Sequence, residues 1–152
     1  MIMGVTGHRE LGHTPEEIRE RFLEMILKHK PTKVITGMAI GFDTIVAQVC
    51  VEFGIPFIAA VPFENQDSIW PQADRDIYRE LLTHAAEVKL VSPGGFTNWK
   101  FLTRNEWIVD NSNILVAYMN EKVGGTAHCY DYGVRVGLPI ENLGDLQLTQ
   151  GI

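Results

Sequence analysis

The sequence predicts an α/β fold, an open and mostly parallel sheet of about six strands with helices on both faces. Three observations carry this expectation. Short apolar runs alternate with longer segments of helical period, the pattern of βαβ units. The run Phe57–Val61 is apolar at every position, as a strand is when helices cover both its sides. Each polar, glycine-bearing loop comes after a strand, so right-handed crossovers gather those loops on one edge of the sheet.

The first strand is read at residues 2–5 and runs into a polar loop holding Gly7 and Gly12. A helix start follows, with Thr14 as N-cap, Pro15 at the first helical position and Glu17 placed for a capping box. Ile18, Phe22, Met25 and Ile26 share one face of this helix. Lys28, His29 and Lys30 suit the negative end of its dipole, and Pro31 stops it. The second strand is Lys33–Thr36. Gly37 and Gly41 then allow a tight turn with positive φ, and Asp43 or Thr44 is placed to cap the next helix. That helix carries Val46, Val49, Cys50 and Phe53 on one face and ends at Gly54, ahead of Pro56. After the third strand, a polar loop with large aromatics spans residues 62–71. A helix from about Gln72 to His84 follows, with Ile77 and Leu81 inward. The fourth strand is expected at 88–91, a glycine loop at 92–98, a helix at 100–111 and the fifth strand at Ile114–Tyr118. Val123, Gly124, Gly125 and Thr126 lead into a helix to about Arg135. Gly137 and Pro139 end it, and a sixth strand is read at 140–143. Residues 1–143 thus form a single domain, and 144–152 a loose polar tail.

Residues 33–47 are the stretch around which the rest is organised. Strand, glycine turn and helix N-terminus together aim N–H groups and the positive end of a dipole at one point, a place for a phosphate. Alone, the stretch reads equally well as glycines that only close a turn. The same device recurs twice along the chain, which favours a ligand site.

Composition narrows the classes. With 13 basic and 19 acidic residues the net charge is −6. That argues against general electrostatic attachment to a nucleic-acid backbone, so nucleic acid is not an expected partner. No apolar run approaches the roughly 20 residues of a membrane span, and the N-terminus opens on a strand-like run rather than a signal peptide. Cys50 and Cys129 stand far apart without metal-ligand spacing. The expected setting is cytoplasmic, with two buried reduced thiols, no membrane, no metal and no cofactor.

Five blocks occur in order: Thr6-Gly7-His8-Arg9; Gly37-Met38-Ala39-Ile40-Gly41-Phe42-Asp43; Pro62-Phe63-Glu64 with Gln66 and Trp70; Arg104-Asn105; and Gly124-Gly125-Thr126-Ala127. The set resembles the YpsA-like branch of the SLOG superfamily, over roughly residues 2–143. That superfamily groups the DNA-processing protein DprA (Smf) with the Lonely Guy phosphoribohydrolases. The resemblance implies a Rossmann-like fold and a pocket for a nucleotide or nucleotide-derived small molecule. Related folds pair through helices, so it also implies a homodimer. Lonely Guy enzymes cleave the N-glycosidic bond of nucleoside monophosphates with the motif Pro-Gly-Gly-x-Gly-Thr-x-x-Glu, preceded by an arginine on the previous helix. Arg104 lies where that arginine falls, and Gly124-Gly125-Thr126 lies near the glycine turn. The motif's glutamate has no counterpart, since Ala127, His128, Cys129 and Tyr130 follow Thr126. Members of the YpsA-like branch commonly lack it and are better described as ligand binders.

The ligand-binding set expected from residues and resemblance is Gly7, His8, Arg9, Gly37, Met38, Gly41, Asp43, Glu64, Arg104, Gly124, Gly125 and Thr126. A phosphate would lie across the amides near residues 37–41 and 124–126, neutralised by Arg104 with Arg9. Asp43 or Glu64 would hold the ribose, and for catalysis one of them would replace the missing glutamate. Other roles stand beside these. His8 is a pocket contact or a loop histidine bonded to backbone. Asp43 is a ribose acceptor or only a helix cap, and Glu64 an acid or a solvated loop carboxylate. Trp70 stacks on a base or packs under its loop. Trp99 and Trp107 are read as core or dimer contacts. Thr126 is expected to cap its helix. His128 and Cys129 are adjacent on a helix, about 100° apart, and are read as packing. Candidate ligands are nucleoside monophosphates, ADP-ribose-like molecules and signalling nucleotides.

Overall fold

The computed structural model describes residues 1–146 of the chain. Strands β1 (Ile2–Gly7), β2 (Lys33–Thr36), β3 (Phe57–Val61), β4 (Glu87–Leu90), β5 (Ile114–Tyr118) and β6 (Ile140–Asn142) alternate with five helices. These are α1 (Pro15–His29), α2 (Phe42–Phe53), α3 (Gln72–His84), α4 (Asn98–Asp110) and α5 (Gly124–Arg135). The strands form one sheet in the order β4-β3-β2-β1-β5-β6, and every neighbouring pair is parallel. This is the open Rossmann-like α/β fold that the alternation predicts.

Strand alternation sorts the side chains into two cores. Met3, Val5, Val34, Phe57, Ala59, Val116 and Tyr118 meet Phe22 of α1, Val46 of α2 and Leu81 of α3. Ile35, Ile58, Ala60 and Leu115 meet Ile108 and Val109 of α4 and Cys129 of α5. All of β3 and β5 is buried, which is why those runs carry no polar alternation. Each large apolar side chain buried this way contributes roughly 1.5–3 kcal/mol.

The caps follow the residues that specify them. Thr14 Oγ1 accepts from the Glu17 amide at 3.2 Å, and Gly54 ends α2 at φ 67°. In α3 the inward stripe is Tyr78 and Leu81, whereas Ile77, expected inward, is exposed. Tyr78 takes that place because its ring packs edge-on against Trp70 at 5.1 Å, and its neighbour then points about 100° away. β4 is an edge strand with Glu87, Val88 and Lys89 exposed, and its charges discourage further pairing. At the other end of the chain, Asp145 is tied to His13 at 2.6 Å; the remaining tail, residues 147–152, lies outside the described residues.

The order places the site. β2, β3 and β4 run outward from one side of β1, and β5 and β6 from the other. The loops after β1 and β5 therefore lead away in opposite directions and leave a crevice between them, where ligands of open α/β sheets bind.

Candidate functional site

A cavity of about 600 Å³ opens at this crevice. Its wall is assembled from the β1 loop (Thr6, Gly7, His8, Arg9), the turn before α2 (Ala39, Ile40, Asp43), Gln66 and Trp70. The opposite wall is α4 (Asn98, Phe101, Leu102, Arg104, Asn105, Ile108) with the start of α5 (Val123, Gly124, Gly125, Thr126). Loops from distant parts of the chain converge here, as the sequence required.

Glycines let those loops touch. A Cβ on Gly7 would enter the Phe42 ring. A Cβ on Gly41, whose φ is +98°, would lie 2.5 Å from the His8 carbonyl oxygen. The Phe42 amide donates to that same carbonyl at 3.2 Å, welding the β2 turn to the β1 loop. Gly37 serves differently from the expected positive φ. The left-handed residue of this turn is Met38, at φ 59°, and its side chain is buried in the core. Gly37 is needed for close approach: a Cβ there would stand 2.5 Å from Arg104 Nη1.

Arg104 is the hub beneath the crevice, and it is buried. Nη1 donates to the carbonyls of Gly37 at 2.7 Å and Ala60 at 3.2 Å, and Nε donates to Asn105 Oδ1 at 3.0 Å. Asn105 Nδ2 in turn donates to the Gly125 carbonyl at 3.1 Å. One guanidinium thus braces β2, β3 and, through Asn105, the start of α5. Most of its donors are spent on the fold, a different task from the free phosphate cation expected of it.

Asp43 faces Arg104 across the Gly37 position, and it too is buried, at 5% exposure. It is not the helix cap. The N-cap of α2 is Gly41, with no side-chain bond. Asp43 instead reaches back, and its Oδ2 accepts from the Ala39 amide at 3.2 Å. Thr44 Oγ1 donates to the Ala39 carbonyl at 3.0 Å. Asp43 Oδ1 is buried with no hydrogen-bond partner among the described residues. Burial pushes the Asp43 carboxyl up to about 6, against the pull of Arg104 and the Ala39 amide. An unpaired buried acceptor on the wall of a cavity is an unfilled coordination position for a donor.

The amides of the glycine turn are largely consumed. Met38 N donates to Thr36 Oγ1 at 3.2 Å, Ala39 N to Asp43, and Phe42 N to His8. The phosphate cradle expected across residues 37–41 has therefore given up two donors, Met38 and Ala39, and the next amide, of Phe42, is taken as well. At α5 the situation differs. Gly124, at φ +69°, Gly125 and Thr126 line the cavity, and the N-cap residue Val123 makes no side-chain cap. Thr126 is the third residue of the helix rather than its cap. The positive end of the α5 dipole faces the crevice.

The remaining candidates divide. His8 lines the cavity while its Nε2 lies 3.0 Å from the Glu121 carbonyl, so it is also the backbone-bonded loop histidine. Arg9 lines the cavity, is exposed and pairs with no acid among the described residues. Glu64 is exposed and does not line the cavity; its amide is held by the Gly94 carbonyl at 2.9 Å, which turns the side chain to solvent. Asp43 is thus the carboxylate of the crevice. Gly37, Met38 and Gly41 stand behind the wall as its support. Trp70 lines the cavity and packs edge-on against Tyr78. Trp99 is exposed and Trp107 packs on the second core. His128 lies 3.4 Å from Glu106, and burial pushes the Cys129 thiol up to about 12, so neither forms a nucleophile pair.

Sequence reasoning missed Phe101, Asn98 and the bridging part of Asn105. Phe101 sits three residues before Arg104 on one helical face, a spacing that could have flagged it. Gln66, whose Nε2 donates to the Gly37 carbonyl at 3.3 Å, stood in the motif blocks without a role.

The model of the YspA SLOG family matches residues 7–135. The SPbeta prophage-derived protein YoqJ of Bacillus subtilis is 31% identical over 132 residues, covering 76% of this chain and 77% of that one. Among solved structures, DNA processing protein A from Helicobacter pylori matches with a TM-score of 0.69 at 17% identity, over 93% of this chain and 64% of that one. The molybdenum cofactor binding protein from Rippkaea orientalis matches with a TM-score of 0.65 at 18% identity, over 98% and 79%. At these identities the two structures share the fold.

Proposed function

This chain belongs to the YspA SLOG family, and on that premise we propose that its crevice binds a nucleotide or nucleotide-derived small molecule. The observation that carries the proposal is Asp43, the carboxylate residue lining the cavity, whose buried Oδ1 has no hydrogen-bond donor among the described residues. A ribose hydroxyl supplies that donor. The phosphate lies on the first turn of α5, at Gly124, Gly125 and Thr126, with Arg9 closing over it. The base lies against Trp70 and Phe101. A volume of about 600 Å³ suits a ligand of this size. Two neighbours of the same fold are described by single-stranded DNA binding and by molybdenum cofactor binding. The ligand is taken from nucleoside monophosphates, ADP-ribose-like molecules and signalling nucleotides, and the protein acts as a homodimer. A thermal-shift panel of these compounds tests the reading. Ligand at a hundredfold excess over Kd adds about 2.7 kcal/mol of stability, a shift of several degrees. No shift with any compound would overturn it.

A second reading is hydrolysis of the N-glycosidic bond of a nucleoside monophosphate. It is favoured by the Asp43 carboxyl itself, which at about 6 is poised for proton transfer near neutral pH. Chromatography of the protein incubated with nucleoside monophosphates decides it. Free base should accumulate, and Asp43→Asn should abolish it; no product, or product unchanged in the variant, removes this reading.

A further inference from the structure

We propose, resting on the nucleotide reading above, that the ligand is a nucleoside diphosphate carrying a sugar on its distal phosphate. A second cavity of about 450 Å³ adjoins the first and shares His8, Arg9 and Val123 with it. It lies over the switch point between β1 and β5, between residues 8–12 and 120–123. Its two walls are fixed to one buried group. The Tyr118 hydroxyl accepts from the Gly12 amide at 3.0 Å and from Asn120 Nδ2 at 3.1 Å. The chamber is therefore part of the fold and not a gap between loose loops.

The two chambers differ in chemistry. The first offers Trp70 and Phe101, flat surfaces that suit a base. The second has no Phe, Tyr or Trp on its wall; its flat groups, His8 and Arg9, stand at the seam shared with the first, and His8 is held by the Glu121 carbonyl, so the inner part of the chamber gives a second base no surface of its own to stack on. It offers instead the exposed carboxylates of Glu10 and Glu121. Carboxylates accept from hydroxyls and repel phosphate, so the group that fits is an uncharged polyol. The seam is the opposite. It holds Arg9, exposed and without an acid partner among the described residues, and Val123, the residue from which α5 begins. A cation beside a helix N-terminus is where a charged linker belongs. Base, anionic linker and sugar follow in that order across the crevice. A nucleoside monophosphate would fill the first chamber alone.

Calorimetric titration with AMP, ADP and ADP-ribose, UMP, UDP and UDP-glucose, and GMP, GDP and GDP-mannose tests this. For the base that the crevice accepts, the sugar diphosphate should bind at least tenfold more tightly than the monophosphate and more tightly than the plain diphosphate. Leu11→Trp fills the second chamber and should bring the sugar diphosphate back to the monophosphate's Kd, leaving the monophosphate within twofold. Should that variant fail to fold, the surface pair Glu10→Ala and Glu121→Ala should weaken the sugar diphosphate five- to tenfold and spare the monophosphate. Equal affinity for monophosphate and sugar diphosphate, or variants that weaken both alike, would overturn the proposal. A plain diphosphate as tight as its sugar conjugate would overturn it as well. Binding by none of the nine, or binding confined to the monophosphates, removes this inference; the nucleotide reading itself falls only if the thermal-shift panel, which also holds signalling nucleotides, gives no shift.

Discussion

Arg104 Nη1 donates to the Gly37 carbonyl at 2.7 Å across 67 residues of chain, and it stands where a side chain on residue 37 would begin. The glycine and the arginine are one device. Gly37→Ala places a Cβ 2.5 Å from Nη1, so the guanidinium must move and its bonds to Gly37 and Ala60 loosen. The expected loss is about 2–3 kcal/mol. Gly95→Ala, with nothing within 4 Å of the added Cβ, should stay within about 0.5 kcal/mol. Urea denaturation of both variants checks the difference.

Arg104→Met keeps the bulk and removes the donors. Two carbonyls and Asn105 lose a buried partner, and the start of α5 loses its brace. The expected cost is about 2–4 kcal/mol. Arg104→Lys should not restore it, because the donors of an ammonium radiate from one nitrogen and cannot span the places that Nε and Nη1 occupy against Asn105 and the two carbonyls. Denaturation midpoints of the two variants provide the measurement.

Asp43→Asn should raise stability. The carboxyl titrates at about 6 in the folded protein and near its ordinary value of 3.8 when unfolded. Below the lower value its contribution is fully present. As pH rises toward 6 the unfolded chain sheds a proton that the folded one retains, so stability falls, and above about 6 the group adds no further slope. The asparagine mimics the protonated form. It should remove that slope and gain on the order of 2–3 kcal/mol near pH 7.5. Melting curves from pH 4 to 8 for both proteins test the sign. A stabilising substitution at a buried polar position marks a residue kept for something other than folding.

Much of this was legible in the sequence, and the boundary has physical causes. Local signals held: Thr14 and Pro15 start a helix, Gly54 ends one, and the unbroken apolar runs of β3 and β5 announce strands covered on both sides. The convergence of loops on one edge followed from parallel topology. What the sequence did not reveal was direction. Arg104 and Asp43 turn toward each other in the cavity wall, Glu64 turns to solvent, and the amides of Met38, Ala39 and Phe42 go to Thr36, Asp43 and His8. Those outcomes depend on contacts between segments tens of residues apart, which spacing along the chain does not encode. Gly37 shows this most clearly, since its requirement comes from a side chain on α4 and not from its own turn.

Arg9→Ala separates binding from folding. The side chain is exposed and makes no ion pair among the described residues, so stability should change by less than about 0.5 kcal/mol. Affinity for a phosphate-bearing ligand should fall about tenfold, and its salt dependence should weaken, because a screened cation is lost. Titrations at two ionic strengths provide the readout.

The most direct test is a pair of calorimetric titrations, one with the unaltered protein and one with Asp43→Asn, using the nucleotide that gives the largest thermal shift. Saturable binding to the first and at least tenfold weaker binding to the second, although the second is the more stable protein, is the expected result, because the Ala39 amide claims the variant's one side-chain oxygen and leaves an NH2, which cannot accept, in the place of Oδ1. The same Kd for both, or no binding to the unaltered protein, would contradict the assignment of Asp43 Oδ1 as the ligand's acceptor in this crevice.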